Sequence, residues 1–481
     1  MNFTDLYALS PFVVLAVTPV VIMLVVAFFR NHFLTALLTV IGLVLSLAAV
    51  FLIYPMAPRR VTPLILMDGY ALFFVALISG ASLLVALLSY GYLKRHHGNC
   101  EEFYILLLTA ALGASVMVSN SHFASFFVGL ETLNISLYAL IAYLRKRLKS
   151  IEAAIKYLIL AATSDAFLLF GMALMYAQVG TMDLSLVGSL RNVGGTSTIL
   201  MTGAAMLITG IGFKLAVVPF HMWTPDVYEG APSPVTAFIA TVSKGAMFAV
   251  LFRYLTQSSV QVETPLFAVI SIIAIASMFV GNLLALLQDN VKRILAYSSI
   301  AHMGYLLVAF LASGAMAITA VSYYLVAYFV TTLGAFGVIT VLSGTDQEAE
   351  RLEDYRGLAW QRPWLAGVFT AMLLSLAGVP LTAGFVGKFY VMAAGIGSAL
   401  WLLVTMLVVN SAIGLFYYLR IIVVIYSSPT AEQAVPLSSS CTSPGAGFVL
   451  AVCTFLLVLL GVFPAPVIEL IQMTAARLIS T

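Results

Sequence analysis

The sequence predicts an all-α polytopic membrane protein with about 14 transmembrane helices. Of its 481 residues, 62% are hydrophobic and 9% are charged, and the mean hydropathy is +1.08. A soluble domain is roughly half apolar and a quarter charged, so the composition excludes that class. The apolar residues form runs of about 20, the length that an α-helix needs to cross a bilayer. Function therefore has to reside within the membrane or on short loops.

Fourteen apolar runs are candidate spans, and we number them 1 to 14 in chain order. They lie near residues 11–29, 33–54, 70–93, 103–118, 122–144, 154–179, 198–222, 232–255, 265–287, 294–313, 316–343, 363–392, 398–426 and 446–470. The N-terminus carries Asp5 and no basic region, so we expect the first run to be a spanning helix and not a cleaved signal.

The basic residues predict how the helices are oriented. Fourteen Lys and Arg residues follow odd-numbered helices, whereas five lie on the opposite side: Arg59, Arg60, Arg191, Arg253 and Arg477. Because basic loops stay in the cytoplasm, we expect the odd-to-even loops to be cytoplasmic and both termini to face outward.

Composition and spacing favour no nucleic-acid, metal or cofactor site. The net charge of +3 comes without a basic patch, so no nucleic-acid partner is expected. Cys100, Cys441 and Cys453 are scattered, and their spacing indicates neither a metal site nor a disulfide framework. His96, His97 and Cys100 share a loop, for which a solvated loop is preferred over a metal site. No GxGxxG, Cys-cluster or haem motif indicates a cofactor in this chain.

Five ionisable side chains lie inside the predicted helices. Lys214, Lys244 and Lys388 are the three basic residues that no loop accommodates, and Glu131 and Asp165 lie in helices 5 and 6. Each such charge costs at least about 2.5–3.5 kcal/mol at the bilayer centre. One interpretation is structural, as buried pairs or lysines that reach the interface. The other is a proton relay, in which a lysine takes up or releases a proton when its carboxylate partner moves.

Proline interrupts two of the lysine-bearing helices. Lys214 precedes Pro219 in helix 7, and Lys388 follows Pro380 in helix 12. Proline frees a backbone carbonyl, which is tolerated at membrane depth only where protein or water satisfies it. Paired broken helices are typical of inverted repeats and their ion sites. We therefore predict that helices 7 and 12 are discontinuous and that helices 4–8 and 9–13 form two inverted five-helix repeats.

This pairing predicts four parts of the chain. They are helices 1–3 (1–100), the first repeat (101–256), the second repeat (257–428), and a loop with helix 14 (429–481). The pairing also aligns helix 5 with helix 10, and so Glu131 with His302. The sequence leaves open whether His302 is a relay or a hydrogen-bonded packing residue.

Three segments resemble the antiporter-like membrane subunits of respiratory complex I, the NADH:quinone oxidoreductase. They are KLAVVPFHMWTPDVYEGAPSPVTAFIATVSK, GNLLALLQDNVKRILAYSSIAHMGYLL and LAGVPLTAGFVGKFYV. The resemblance runs from about residue 1 to 475. The WTPDVYEGAP segment, in a chain without a long C-terminal lateral helix, resembles the N-type members. M-type members usually carry glutamate where this chain has Lys388.

The resemblance implies a subunit that moves protons while quinone is reduced elsewhere in the complex. Its relay residues would be Glu131, Lys214, Lys244 and Lys388, with His302 as a further candidate. Asp165 departs from the family, whose helix 6 position is usually small and neutral. An added hydration site and a local partner of Ser164 and Thr163 are both open, and we assign it no core role. NAD, FMN, iron–sulfur clusters and quinone are expected in partner subunits. M-type and K-type neighbours are expected beside this chain in the bacterial inner membrane, with both termini in the periplasm.

We expect Glu131 to pair with Lys214 near the cytoplasmic side, and separation of the pair to send a proton to Lys244. A hydrated axis, with His302 as an optional step, then leads to Lys388. The alternative is a stand-alone or multisubunit cation/proton antiporter without redox coupling, and a third interpretation is a non-conducting scaffold. The electron donor, the quinone type and the proton stoichiometry do not follow from the sequence.

Overall fold

The structure, a computed structural model, describes residues 3–96, 100–183, 198–258, 265–312, 314–344, 348–429 and 443–479. His97, Arg191 and Cys441, which enter the predictions above, lie outside the described residues. The described part of the chain is almost entirely α-helical, with one two-stranded hairpin.

Fourteen crossings match the fourteen predicted spans, which confirms the all-α polytopic fold. Thirteen helices in the described residues are long and apolar enough to cross a membrane, and a further crossing is split into two shorter apolar helices. They are α1 (Ser10–Phe28), α2 (His32–Ile53), α3 (Gly69–Arg95), α4 (Glu101–Val118), α5 (Phe123–Ile141), α6 (Leu148–Val179), α7a (Thr198–Leu215) with α7b (Trp223–Gly230), α8 (Ser233–Phe238, Ile239–Ser243 and Lys244–Ser258), α9 (Pro265–Leu286), α10 (Val291–Leu311), α11 (Ala315–Leu342), α12a (Pro363–Ala377) with α12b (Ala383–Gly397), α13 (Trp401–Tyr426) and α14 (Pro444–Val462).

Short elements lie outside these crossings. Strands β1 (Arg59–Thr62) and β2 (Ile65–Met67) form an antiparallel hairpin between α2 and α3. The predicted helix 14 was too long: α14 ends at Val462, and a separate helix, Ala465–Ile479, comes after it. Pro464 separates the two, because proline provides no backbone N–H to continue a helix.

Three helices form the buried centre of the molecule. The most apolar stretch is 100% buried in α8 and in α10 and 89% buried in α11, compared with 28% in α1. Polar side chains on these three helices are therefore shielded from lipid by the surrounding helices. A polar group buried in this way needs a partner within the protein.

Glycines allow two helix pairs to approach closely. A Cβ atom added at Gly113 of α4 would lie 2.6 Å from a backbone nitrogen of α5, and one added at Gly129 of α5 would lie 2.8 Å from a backbone oxygen of α4. A Cβ at Gly281 of α9 would lie 2.7 Å from a backbone nitrogen of α10, and one at Gly304 of α10 would lie 2.9 Å from a backbone oxygen of α9. Small residues at such contacts are typical of membrane helix pairs.

Helices 7 and 12 are both discontinuous, as predicted. In helix 7 the first half ends at Leu215, and Ala216 has a positive φ of 60°. In helix 12 the first half ends at Ala377, and Gly378 has a φ of 86°. The left-handed conformation turns the chain out of the helix and ends the run of backbone hydrogen bonds. The last carbonyls of each first half are then available to other donors.

A carboxylate joins several helices on the side that carries the odd-to-even loops. Glu348, in the segment after α11, accepts hydrogen bonds from Lys292 Nζ (2.5 Å), Tyr92 OH (2.5 Å) and Ser233 Oγ (2.9 Å). It also forms an ion pair with Arg147 Nη1 (3.0 Å). We call these five residues the Glu348 clasp. Burial by itself raises the pKa of the Glu348 carboxyl, but the charges of Lys292 and Arg147 outweigh burial and lower the pKa to about 2. The clasp therefore ties α3, α8 and α10 to the N-terminal end of α6.

Glu348→Gln should destabilise the chain by about 3 kcal/mol at pH 7, because it leaves the buried Lys292 ammonium without a carboxylate. The folded-state pKa of Glu348 lies below its ordinary value of 4.5, so its contribution to stability is present above pH 4.5 and is lost as the pH falls towards 2. Thermal unfolding of the chain in detergent measures both effects.

The matched control is Glu152→Gln, since Glu152 forms a half-exposed pair with Lys156 one helical turn away. Exposed pairs of this kind contribute less than about 1 kcal/mol. Equal unfolding temperatures for the two variants would contradict the importance of the clasp.

Candidate functional site

Lys214 lies at the end of α7a and contacts α5 and α6. Its Nζ donates hydrogen bonds to Asn134 Oδ1 and to Tyr157 OH, the latter at 2.7 Å. Lys214 is 3% exposed, and its ammonium forms no ion pair with a carboxylate among the described residues. The predicted direct pair of Glu131 with Lys214 is therefore wrong, because the Asn134 side chain occupies that contact.

Asp165, to which the sequence assigned no core role, lies in this hydrogen-bonded cluster. Asn134 Nδ2 donates to Asp165 Oδ2 at 3.0 Å, and the Asp165 carboxyl also shares a side-chain hydrogen bond with Glu131. The neighbouring hydroxyls of Thr163 and Ser164 bond backbone carbonyls instead. The site thus has two adjacent carboxyl groups, which a single amide separates from the lysine.

Lys244 lies in α8, directly after the π-helical turn Ile239–Ser243. Its Nζ donates to Ser299 Oγ of α10 at 2.7 Å and lies 5.3 Å from the ring centre of Tyr228 and 6.0 Å from that of Trp223. Both rings belong to α7b, so the break in helix 7 places aromatic faces over the ammonium. Such faces attract a cation through the ring quadrupole.

A run of polar side chains leads from Lys244 to His302. The hydroxyl of Tyr328 donates to Ser299 Oγ at 2.8 Å, and the Tyr328 ring centre lies 5.4 Å from that of His302. His302 contacts the hydroxyls of Tyr324 (Nδ1, 2.6 Å) and Tyr418 (Nε2, 3.2 Å). A small cavity beside this run is lined in part by the side chains of Ser298, Tyr328 and Thr332. Both ring nitrogens of His302 are therefore held by phenol groups, an arrangement that suits packing and proton transfer alike.

Lys388 uses the break in helix 12 directly. Its Nζ donates to the carbonyls of Ala377 (2.8 Å) and Leu376 (3.1 Å), the last residues of α12a, and to Ser411 Oγ (2.8 Å). The ammonium also lies 5.2 Å from the ring centre of Tyr305. The helix break therefore provides backbone acceptors for Lys388, whereas Lys214 takes its acceptors from neighbouring side chains.

Sequence reasoning missed the neutral members of the site. They are Asn134, Tyr157, Ser299, Tyr324, Tyr328, Ser411 and Tyr418. Two of them carried a usable signal, since Asn134 follows Glu131 by three residues and Ser299 precedes His302 by three, which places each pair on one helix face. The tyrosines carried none, because tyrosine is also common in apolar packing.

The residues from 120 to 414 match the family model described as NADH:quinone oxidoreductase/Mrp antiporter, transmembrane. The chain belongs to this family. A protein of Nitrosospira multiformis named NADH-quinone oxidoreductase subunit N is 53% identical, over 97% of this chain and 96% of its own length. The protein of the same name from Ectopseudomonas mendocina is 46% identical, over 98% of this chain and 96% of its own length. The predicted resemblance to N-type members is confirmed.

Solved structures agree with this membership. A chain in the structure of respiratory complex I from Thermus thermophilus is 32% identical, covers 95% of this chain and 98% of its own length, and superposes with a TM-score of 0.82. A chain of the Mrp complex from Dietzia sp. superposes with a TM-score of 0.84 at 20% identity, over 99% of this chain and 98% of its own length. At that identity the second likeness concerns the fold alone. Among the described residues of this family member, no group of three His, Cys, Asp or Glu side chains is placed to hold a metal ion.

Ser299→Ala should destabilise the chain by about 1–3 kcal/mol, because the buried Lys244 ammonium loses its hydrogen-bond acceptor. The loss is measured as a lower unfolding temperature in detergent. Ser427→Ala is the control, since this surface hydroxyl bonds the carbonyl of Val423. If the two variants unfold at the same temperature, Ser299 is not the group that satisfies Lys244.

Proposed function

We propose that this chain is a proton-translocating membrane-arm subunit of an NADH:quinone oxidoreductase, in which quinone reduction elsewhere in the complex drives proton movement. The observation that carries the proposal is Lys244, an ammonium fully buried at membrane depth whose hydrogen bond goes to a neutral hydroxyl. Family membership adds the redox partner, because relatives that are 53% and 46% identical over nearly their full length carry the name NADH-quinone oxidoreductase subunit N.

The chain itself contains the contrast that separates a relay lysine from a structural one. Lys292 is as deeply buried as Lys244, but it is neutralised by Glu348 at 2.5 Å. Lys214, Lys244 and Lys388 are instead held by amide, hydroxyl and carbonyl groups. A lysine with neutral partners can lose its proton without leaving a buried carboxylate unpaired, whereas Lys292 cannot.

We propose a route from Lys214 through Lys244 to Lys388. Between the first two lysines lie the rings of Tyr157 and Trp223, whose centres are 5.0 Å apart. From Lys244 the hydroxyls of Ser299 and Tyr328 lead towards His302, and each hydroxyl can both accept and donate a proton.

The second part of the route connects His302 with Lys388 through side chains of α9, α10 and α13. Tyr418 contacts His302 and lies beside Tyr417, whose hydroxyl donates to Asn282 at 3.0 Å. Asn282 in turn donates to the hydroxyl of Tyr305, over whose ring Lys388 lies. The amide of Asn282 does not itself carry a proton, so water has to complete this part of the route. His302 is in our proposal a relay residue on this route.

The proposal includes the inverted repeats 101–256 and 257–428. Two features support them. Each predicted repeat contains one discontinuous helix with a buried lysine next to its break. Each also begins with a helix pair, α4 with α5 and α9 with α10, that packs through glycines against backbone. Inverted repeats with broken helices place ion sites near the middle of the membrane.

We further propose that the redox groups, namely NAD, FMN, iron–sulfur clusters and quinone, reside in partner subunits and that M-type and K-type subunits are the neighbours in the membrane. The solved relative that supports a partner is the chain of complex I from Thermus thermophilus. The antiporter function remains the second candidate, but the Mrp likeness at 20% identity supports only the fold.

The location that we propose is the bacterial inner membrane, with both termini in the periplasm. A membrane-impermeant thiol reagent added to the periplasmic side should label Met56→Cys, after α2, and should not label Lys146→Cys, after α5. Both variants are made in a chain whose three native cysteines are replaced by serine. The opposite labelling pattern would reverse the orientation that the fourteen-to-five distribution of basic residues predicts.

Lys244→Ala should assemble with its partner subunits and lower NADH-driven proton pumping in inside-out vesicles to less than about a tenth of the wild-type value, because the central proton carrier is lost. Lys94→Ala is the matched control, since Lys94 is an exposed lysine at the end of α3. Its pumping should equal that of the wild type.

Two results would contradict the proposal. If Lys244→Ala fails to assemble and Lys244→Arg restores assembly and full pumping, the lysine has a structural role, as the scaffold interpretation requires. If vesicles that contain this chain alone exchange sodium for protons without NADH, the chain is an antiporter that works without redox coupling.

A further inference from the structure

Asp165 is a buried ionisable side chain near Lys214 that the proposed route does not use. It is 8% exposed and lies on α6, and the amide of Asn134 on α5 donates to it at 3.0 Å. The Asp165 carboxyl also shares a side-chain hydrogen bond with Glu131, three residues before Asn134 on the same face of α5. Charge balance does not explain the second carboxyl group, since one carboxylate is enough to neutralise the Lys214 ammonium.

A hydrogen bond between two carboxyl groups requires a proton on one of them, because two carboxylates have only acceptors. The pair of Glu131 and Asp165 therefore holds one proton and carries a single negative charge. Together with the ammonium of Lys214, the cluster is neutral. A neutral cluster is the arrangement that a buried, low-dielectric site favours.

Asn134 determines how the pair and the lysine meet. Its Oδ1 accepts from Lys214 Nζ while its Nδ2 donates to Asp165 Oδ2, so one amide satisfies the cation and the anion simultaneously. Asn134 is 1% exposed, which leaves its amide no room to face solvent. An amide cannot take up a proton at physiological pH, so the proton passes only when Asn134 rotates or a water replaces its contact.

We infer that Asp165 and Glu131 form a proton-sharing carboxyl pair that exchanges a proton with Lys214, and that Asn134 is the positioning residue between them. In the exchange an N–H bond of the Lys214 ammonium breaks and an O–H bond forms on the carboxylate of the pair. The lysine and the pair both become neutral, so the net charge of the cluster stays zero before and after the step. The inference rests on the proposed function and deepens it at the first lysine.

Within the described part of the chain, the other ionisable groups that face the cluster are phenols. The hydroxyl of Tyr157 accepts from Lys214, and the Tyr157 ring centre lies 5.6 Å from that of Tyr138. The competing interpretation is that Asp165 only joins α5 to α6 by accepting from Asn134. That interpretation predicts a loss of stability on substitution. It predicts no change in the infrared band of a protonated carboxyl group or in the number of protons pumped per NADH oxidised.

The test uses the assembled complex in inside-out vesicles, with Glu131→Gln, Asp165→Asn and the double variant. Because either carboxyl alone can still take the proton of Lys214, each single variant should keep about half of the protons pumped per NADH oxidised, and the double variant less than about a tenth. Infrared difference spectra of the working complex should show a protonated-carboxyl C=O band that shifts in each single variant and disappears in the double variant. Asp165→Glu should restore both readouts, and Thr163→Val, on an exposed face of α6, should change neither.

Three outcomes would overturn the inference. The first is a Glu131→Gln variant that pumps as poorly as the double variant, and the second is an Asp165→Asn variant with wild-type pumping and an unchanged band. The third is assembly of Asp165→Glu when both Asp165→Asn and Asp165→Ser fail to assemble, since this indicates a structural role. Lys244→Ala in the same vesicles separates this inference from the proposed function. If Lys244→Ala pumps normally, the proposed function is wrong. If the carboxyl variants pump normally and Lys244→Ala does not, only this inference is wrong.

Discussion

A charge at membrane depth has to be balanced or solvated by the protein itself, because lipid offers neither counter-charge nor hydrogen bonds. This chain meets that constraint in two ways. Near the helix ends, Arg253 with Asp68 and Lys292 with Glu348 form buried ion pairs, and each connects segments that are distant in sequence. Lys214, Lys244 and Lys388 lie among neutral acceptors and aromatic rings. The first arrangement fixes a charge in place, whereas the second holds a proton that can leave.

The two helix breaks serve this second arrangement differently. At Lys388 the backbone is itself the ligand, since the ammonium bonds the final carbonyls of α12a. At helix 7 the carbonyl of Phe213, which also accepts from the backbone N–H of Ala216, accepts from the indole of Trp223 at 2.9 Å. That bond fixes Trp223, and so α7b, against the end of α7a. The helix 7 break therefore positions the aromatic rings over Lys244 rather than solvating Lys214, although the two breaks look alike as sequence.

The sequence predicted the fold well because hydropathy and helix length are local properties, and so are the breaks at Pro219 and Pro380. It also identified the buried charges, because a lysine inside a predicted membrane helix can be recognised from a single sequence. It failed on the direct pairing of Glu131 with Lys214. Which of several polar groups reaches an ammonium depends on helix rotation, and a neutral residue such as Asn134 can intervene between two charges. For the same reason the sequence did not place Asp165 in this cluster.

The Glu348 clasp and the relay share two helices, which connects stability with the site. The clasp holds the first turn of α8 through Ser233 and the first turn of α10 through Lys292. Lys244 and its acceptor Ser299 lie further along these same two helices. Between the clasp and Lys244, α8 contains the π-helical turn Ile239–Ser243, whose extra residue per turn rotates the remainder of the helix. The clasp fixes the first turn of α8. A change of helical pitch at the π-helical turn would therefore rotate Lys244 towards or away from Ser299.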